Sequence, residues 1–427
     1  SFELSALNGS NGFTFTGNTD DLAGFTVSGL GDINGDNIDD LIIGAPSLDG
    51  STSTDNAGRN YVVFGRSTGF SSNLALSALN GSTGFVINGS QAGDYAGRVS
   101  DAGDINGDGI NDILIGAPNA DPNNADAGAT YVIFGRSSGG FSGSLELSSL
   151  NGSDGFVING VATEDFSGQA VSAAGDINGD GIDDLFIGAP GREFITQSPG
   201  YGYVVFGRSS GFSSSLELSA LNSSDGFIIN GVRAANGTGY AVSGAGDING
   251  DGIDDLIIGA PSADGLGNAL SAVGEAYVVF GRSTGFSRSL DLTSLNGGNG
   301  FRIIGIDSGD YTGRSVGAAG DVNNDGIDDL IIGTATANAS YVIFGSTTGF
   351  SSTLSLSTLD GTNGSVISGT DGITVSGGGD INGDGVADLV IGNVNADPNN
   401  QGNAGTTYVV FGGINNAPTV SAPVTLT

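Results

Sequence analysis

The sequence predicts an all-β protein: a β-propeller of six four-stranded blades. Three observations lead there. One acidic sentence, as in GDINGDGIDDLFIGAP (175–190), recurs six times, beginning at Asp32, Asp104, Asp176, Asp247, Asp321 and Asp380. The apolar runs between copies are short, rich in β-branched and aromatic residues, and bounded by Gly, Asn, Asp or Pro, which is strand chemistry. No copy carries apolar residues at helical spacing over a useful length.

Each copy supplies four strands in a fixed order. In the fourth copy the first is AVSGAGD (241–247), the second DLIIGAP (255–261) and the third opens YVVFGRSTGF (277–286). The fourth is the GFxIxG segment that follows a lead, as in LELSALNSSDGFIING (216–231) of the copy before. LIIGA and YVVF are apolar on consecutive residues, the pattern of a strand covered on both faces. Small sheets stacked face to face around an axis cover their middle strands in that way. The period, about 70 residues, is far too long for a β-helix coil. A seven-bladed ring is the alternative.

The ends suggest how the ring closes. The last copy stops at TTYVVFGG (406–413) without a fourth strand, while the chain opens with one, NGFTFTG (11–17). The expectation is that 11–17 pairs beside Thr406–Phe411 and completes the last blade. Residues 1–413 then form one propeller, and 414–427 (INNAPTVSAPVTLT) a linker or the start of a following domain. The first residue is Ser, which reads as a mature or excised segment, and no signal peptide or membrane-spanning apolar run is visible.

Composition narrows the chemistry. The 427 residues carry a formal charge of −35, with eleven basic residues, all Arg. Nucleic acid and anionic membrane surfaces need clustered cations, so neither is an expected partner. Cys and His are absent, which removes disulfides, thiolate or imidazole metal sites and Ser-His hydrolysis. Divalent cations are the natural counter-charge.

The acidic loop has the donor set for one. Oxygen side chains at positions one, three, five and nine, with a backbone carbonyl at seven, surround a hard cation, and all-oxygen sets suit Ca²⁺. The six candidate sets are Asp32, Asn34, Asp36, Ile38 and Asp40; Asp104, Asn106, Asp108, Ile110 and Asp112; Asp176, Asn178, Asp180, Ile182 and Asp184; Asp247, Asn249, Asp251, Ile253 and Asp255; Asp321, Asn323, Asp325, Ile327 and Asp329; and Asp380, Asn382, Asp384, Val386 and Asp388. About six Ca²⁺, one per repeat, are expected. Asp, Asn and Gly also form simple turns, but a simple turn has no use for an oxygen at position nine. Gly181, at position six, permits the sharp bend, and Asn37 takes that place in the first copy. Asp183, at position eight, is expected to point outward.

GDINGDGIDDLIIGAP followed by YVVFG resembles the FG-GAP repeat of the integrin α-subunit propeller family and its bacterial relatives, over about residues 1–413. The resemblance assigns calcium to the same five positions of every loop. It implies an extracellular or cell-surface module for adhesion or protein binding, non-catalytic, with the metal structural. Integrin propellers have seven blades, with calcium in only some; here six units all carry the loop. No other domain of such proteins is recognisable in the chain.

The calcium loops fall on one face. The more variable loops at 47–60, 119–130, 191–202 and 262–276 fall on the other, where a protein or glycan ligand would bind; solvated drift is the plainer account of their variety. Arg192, Glu193, Phe194 and Tyr201 make the richest of them. A lectin-like propeller, or one accessory to a secreted hydrolase, are the alternative functions. Arg66, Arg136, Arg208 and Arg282 follow the third strand and are expected to pair with a neighbouring blade. Asn8, Asn80 and Asn151 match the glycosylation pattern but sit in a repeated turn. A monomeric propeller within a larger multidomain protein is the expected state.

Overall fold

The computed structural model describes residues 6–18, 21–47, 56–191, 198–265, 271–369, 372–396 and 405–413. It is all-β: among the described residues six sheets form a six-bladed propeller arrangement, a seventh has two short strands, and single-turn 3-10 helices are the only helices. Blade three shows the plan. Ala170–Gly175, Asp184–Ala189, Tyr201–Val205 and Gly226–Asn230 run antiparallel in that order. The second strand holds Leu185, Phe186 and Ile187 fully buried, as its unbroken apolar run requires.

A fifth strand was not expected. Ser289–Asp291, from the lead of the next repeat, adds in parallel to the outer edge of Gly226–Asn230. Blades one to four each gain such a strand, so their sheets have five; blade five has four and blade six three. The lead then makes one 3-10 turn, as at Leu292–Ser294, and re-enters its own blade. Each repeat is therefore stitched into the blade before it.

Stacked phenylalanines mark the same junctions. Phe156 of blade two lies on Phe212 of blade three at 4.3 Å between ring centres, and Phe227 on Phe286 at 4.1 Å. Such pairs add about 0.5–1.5 kcal/mol beyond their buried area. The innermost strands of successive blades pack side by side from Thr26–Gly31 through to Thr374–Gly379.

Blades one and six are not joined in the same way. The expected pairing of 11–17 with Thr406–Phe411 is not made. Instead Thr14–Thr16 pairs in parallel with Asn73–Ala75, and Phe13 stacks on Phe70 at 4.0 Å. That apolar stack and short ladder anchor the segment on blade one, and blade six ends its sheet at Thr406–Val410. Val27 is consequently 67% exposed, where its counterparts Val99, Val242, Val316 and Val375 are each 8% exposed.

Each first strand ends in a bulge just before its acidic loop, as between Ala173 and Gly175. Gly175 has φ +66°, and a Cβ there would lie 2.2 Å from an Asp254 carboxylate oxygen, so only glycine fits.

Candidate metal centre

The bulge delivers the chain into a loop organised by its own aspartates. In blade three, Asp176 Oδ1 accepts from the Gly179 and Asp180 N–H groups at 2.7 and 3.0 Å, and Oδ2 from Gly181 N–H at 2.7 Å. Asp180 Oδ1 accepts from Ile182 N–H at 3.0 Å. Asn178 Nδ2 donates to both oxygens of Asp184 at 3.3 and 3.2 Å. Asp184 Oδ1 in turn accepts from Gly207 N–H at 2.9 Å. The same bonds recur, with small losses, in the other loops. Asn37 and Asn324, where other copies have glycine, adopt φ +63° and +60°, the left-handed conformation their places demand.

The position-nine carboxylates are the electrostatic problem of the fold. Asp112, Asp184, Asp255, Asp329 and Asp388 are fully buried and Asp40 nearly so. Burial, reinforced by the neighbouring loop aspartates, pushes Asp112, Asp184 and Asp255 up to about 8, Asp329 to about 7 and Asp40 to about 6. Backbone N–H groups offset only part of this. Among the described residues the ion pairs are Arg136–Asp154, Arg208–Asp225 and Arg302–Glu275, so no arginine reaches a loop aspartate.

The residues fit a hard cation. Asn323 Oδ1, the position-three oxygen of the fifth loop, is buried and has no hydrogen-bond partner. A buried amide oxygen without a donor is costly, and a cation would satisfy it. Among the described residues no three acidic side chains yet converge on one point. The position-one and position-five carboxylates accept from loop N–H groups, which fixes the turn of the loop. A divalent cation held here would supply the positive charge that these carboxylates lack.

Position eight departs from expectation. Asp183 does not point outward: its Oδ2 accepts from the Asp104 N–H of the preceding blade at 2.8 Å. Asp254 does the same with Asp176 at 2.9 Å, and Asp328 with Asp247 at 3.1 Å. No local signal reveals this, because donor and acceptor lie more than seventy residues apart.

The arginines after the third strand pair inside their own repeat rather than with a neighbouring blade. Arg136 meets Asp154 and Arg208 meets Asp225, each at 3.0 Å. Arg66, Arg136, Arg208 and Arg282 lie over Phe70, Phe141, Phe212 and Phe286. Asn80 and Asn151 are turn formers: each Oδ1 accepts from the backbone N–H two residues on. Arg192, Glu193 and Phe194 lie outside the described residues, as do 48–55 and 266–270 of the other variable loops. Tyr201 sits in the third strand of blade three, 6.2 Å from Tyr203 between ring centres.

Six segments of the chain, 23–63, 93–133, 167–205, 238–279, 312–346 and 372–410, match the FG-GAP repeat, and together they cover more than half of it. The chain belongs to the FG-GAP repeat family. Each match opens a few residues before a first strand and takes in the acidic loop and the second strand, so the family unit coincides with the candidate centre. Integrin alpha-PS2 of Drosophila melanogaster is 31% identical over 252 residues, 58% of this chain and 16% of that protein. Integrin alpha-V of Gallus gallus is 29% identical over 255 residues, 57% of this chain and 20% of that protein. Phosphatidylinositol-glycan-specific phospholipase D of Bos taurus is 32% identical over 185 residues, 42% of this chain and 20% of its own length. The FG-GAP chain thus spans a fifth or less of these relatives. It is an integrin-α-like propeller, and no helix among the described residues is long and apolar enough to cross a membrane.

Proposed function

We propose that this propeller is a calcium-binding, non-catalytic module for extracellular adhesion or protein interaction, with about six structural Ca²⁺. The observation that carries the reading is the buried, arginine-free carboxylate at position nine of every loop, together with the unpartnered Asn323 Oδ1. Each loop would hold its ion through positions one, three, five, seven and nine. At about 1 mM Ca²⁺ and a Kd of about 0.1 mM, each site adds roughly 1.4 kcal/mol, which suits an extracellular setting where the ion is plentiful. The lack of His, Cys and Lys, and the use of the loop carboxylates for metal, support a non-catalytic role. The ligand face is the one opposite the loops, and the propeller acts as one part of a larger surface protein.

Calorimetric titration of the metal-stripped chain with CaCl₂ tests this directly. About six equivalents are expected; one or none would overturn the reading.

A glycan-binding reading has one observation in its favour. A groove of 680 Å³ at the rim of blade three is lined by Tyr201, Tyr203, Glu164, Asp165, Asn230 and Arg288, the mixture of rings and hydrogen-bonding groups that suits a sugar. Repeated hits on simple saccharides in a glycan array, lost in Tyr201→Ala, would favour it over a protein ligand.

A further inference from the structure

The geometry points to a function for the paired aspartates at positions eight and nine: they wire each loop to the one before it, so that calcium binding is positively coupled around the propeller. This rests on the calcium reading above. It concerns what lies between the sites, not the sites themselves.

Two arms join adjacent loops. The first is direct. The carboxylate at position eight accepts the N–H of position one in the preceding loop, at Asp183–Asp104, Asp254–Asp176 and Asp328–Asp247. The second runs through the peptide after the third strand. In blade four, Gly281 N–H donates to Asp255 Oδ1 at 2.8 Å, and the next N–H, that of Arg282, donates to the Ile177 carbonyl of loop three at 2.9 Å. Thus Asp254 holds position one of loop three, while Asp255 reaches position two through a single residue step. The position-one aspartate is itself a ligand, and position two fixes the direction in which it leaves the bulge.

The junctions are not equivalent, and the chain contains its own controls. The second arm is present at all five, from Arg136 on Ile33 to Gly413 on Val322. The first is present at three. Asn111 turns its amide to Asp101 of its own blade at 3.3 Å, and Ala387 has no carboxylate to offer. Asp39, at the open seam, is exposed. The glycine before position one makes room for the arm: a Cβ on Gly103, Gly175 or Gly246 would lie 2.2–2.3 Å from an oxygen of the bridging aspartate.

The direction of coupling follows from charge. An empty loop carries several like charges and loosens, and its position-eight and position-nine carboxylates loosen with it. A filled loop fixes both, and so pre-organises positions one and two of its neighbour. Binding free energies are reciprocal, so the neighbour returns the same benefit.

Calcium titrations of the full 427-residue chain and its variants test the wiring. The wild-type isotherm should be steeper than for independent sites. Asp254→Ala should keep the six-ion stoichiometry while flattening the curve and weakening two sites on the order of fivefold. Ala387→Asp, which adds the missing arm at the last junction, should steepen it. Should Asp254→Ala fold poorly, Asp183→Ala and Asp328→Ala cut the equivalent arm elsewhere, and the gain in Ala387→Asp needs no deletion. Six ions bound with unaltered steepness in these variants would overturn the coupling and leave the sites intact. A wild type that binds no calcium would instead overturn the sites.

Discussion

Blades two to five and the pair formed by blades one and six are built from the same repeated sentence, yet they end in different environments. Position two of the acidic loop (Ile33, Ile105, Ile177, Ile248, Val322) is fully buried beneath the next blade in blades one to five; in blade six its counterpart Ile381 is 51% exposed. Phe206 and Phe280 are buried, whereas Phe411 is 47% exposed. Local sequence specifies the strand, its bulge and its turn. Burial comes from the neighbour, as in any repeat array whose stability is a sum of unit and interface contributions.

That contrast sets the order of expected effects. Metal removal should be the largest. If six sites together contribute about 8 kcal/mol, chelation lowers the melting temperature by about 10 °C. Hydrogen exchange in chelator should rise first in blade six, whose sheet has three strands among the described residues. Uniform protection across all six blades would show that the seam is no weaker than the interior.

Phe227→Ala and Phe411→Ala compare the two environments at one residue type. Phe227 is fully buried and stacked on Phe286, so its loss should cost about 3–5 kcal/mol in denaturant unfolding. Phe411→Ala should cost under about 0.5 kcal/mol. Similar costs would mean that blade six is covered in solution.

Asp94→Asn probes an interior site of another kind. Burial pushes the Asp94 carboxyl up to about 6. A raised folded-state value means that its contribution to stability is full below the ordinary carboxylate range and is lost as pH rises through about 6. The variant should therefore melt about 2 °C higher than wild type at pH 8, about half as much higher at pH 5, and equally at about pH 3. Blade four already carries Asn236 at the corresponding place. A gain at about pH 3 as large as at pH 8 would exclude an electrostatic cause.

The smallest change is expected from Val27→Ser. With its side chain mostly in water, stability should stay within about 0.5 kcal/mol of wild type, while binding of an apolar dye falls. The interior counterpart Val99→Ser should destabilise clearly, and equal effects at both positions would erase the distinction.

Much of this was legible in the sequence because it is local. The spacing of Asp176, Asn178, Asp180 and Asp184 lies within nine residues, and the run Leu185–Ile187 declares a doubly covered strand on its own. What escaped is non-local. Ser289–Asp291 is too short to announce a strand, and its partner belongs to the previous blade. Asp183 reads as a surface residue until Asp104 is placed beside it. The N-terminal segment forms the strand its sequence predicts and makes the stack and parallel ladder that fourth strands make elsewhere, Phe13 on Phe70 across 57 positions, but lacks the antiparallel partner they have.

The loaned fifth strand carries one more consequence. Because repeats two to five each give three residues to the sheet before them, the unit of heredity is offset from the unit of melting. Whole repeats can be gained or lost by recombination with each junction re-formed by the same words. None of the sheets of blades two to five can come apart without stripping an edge from the blade before, so damage at one place is felt at the next.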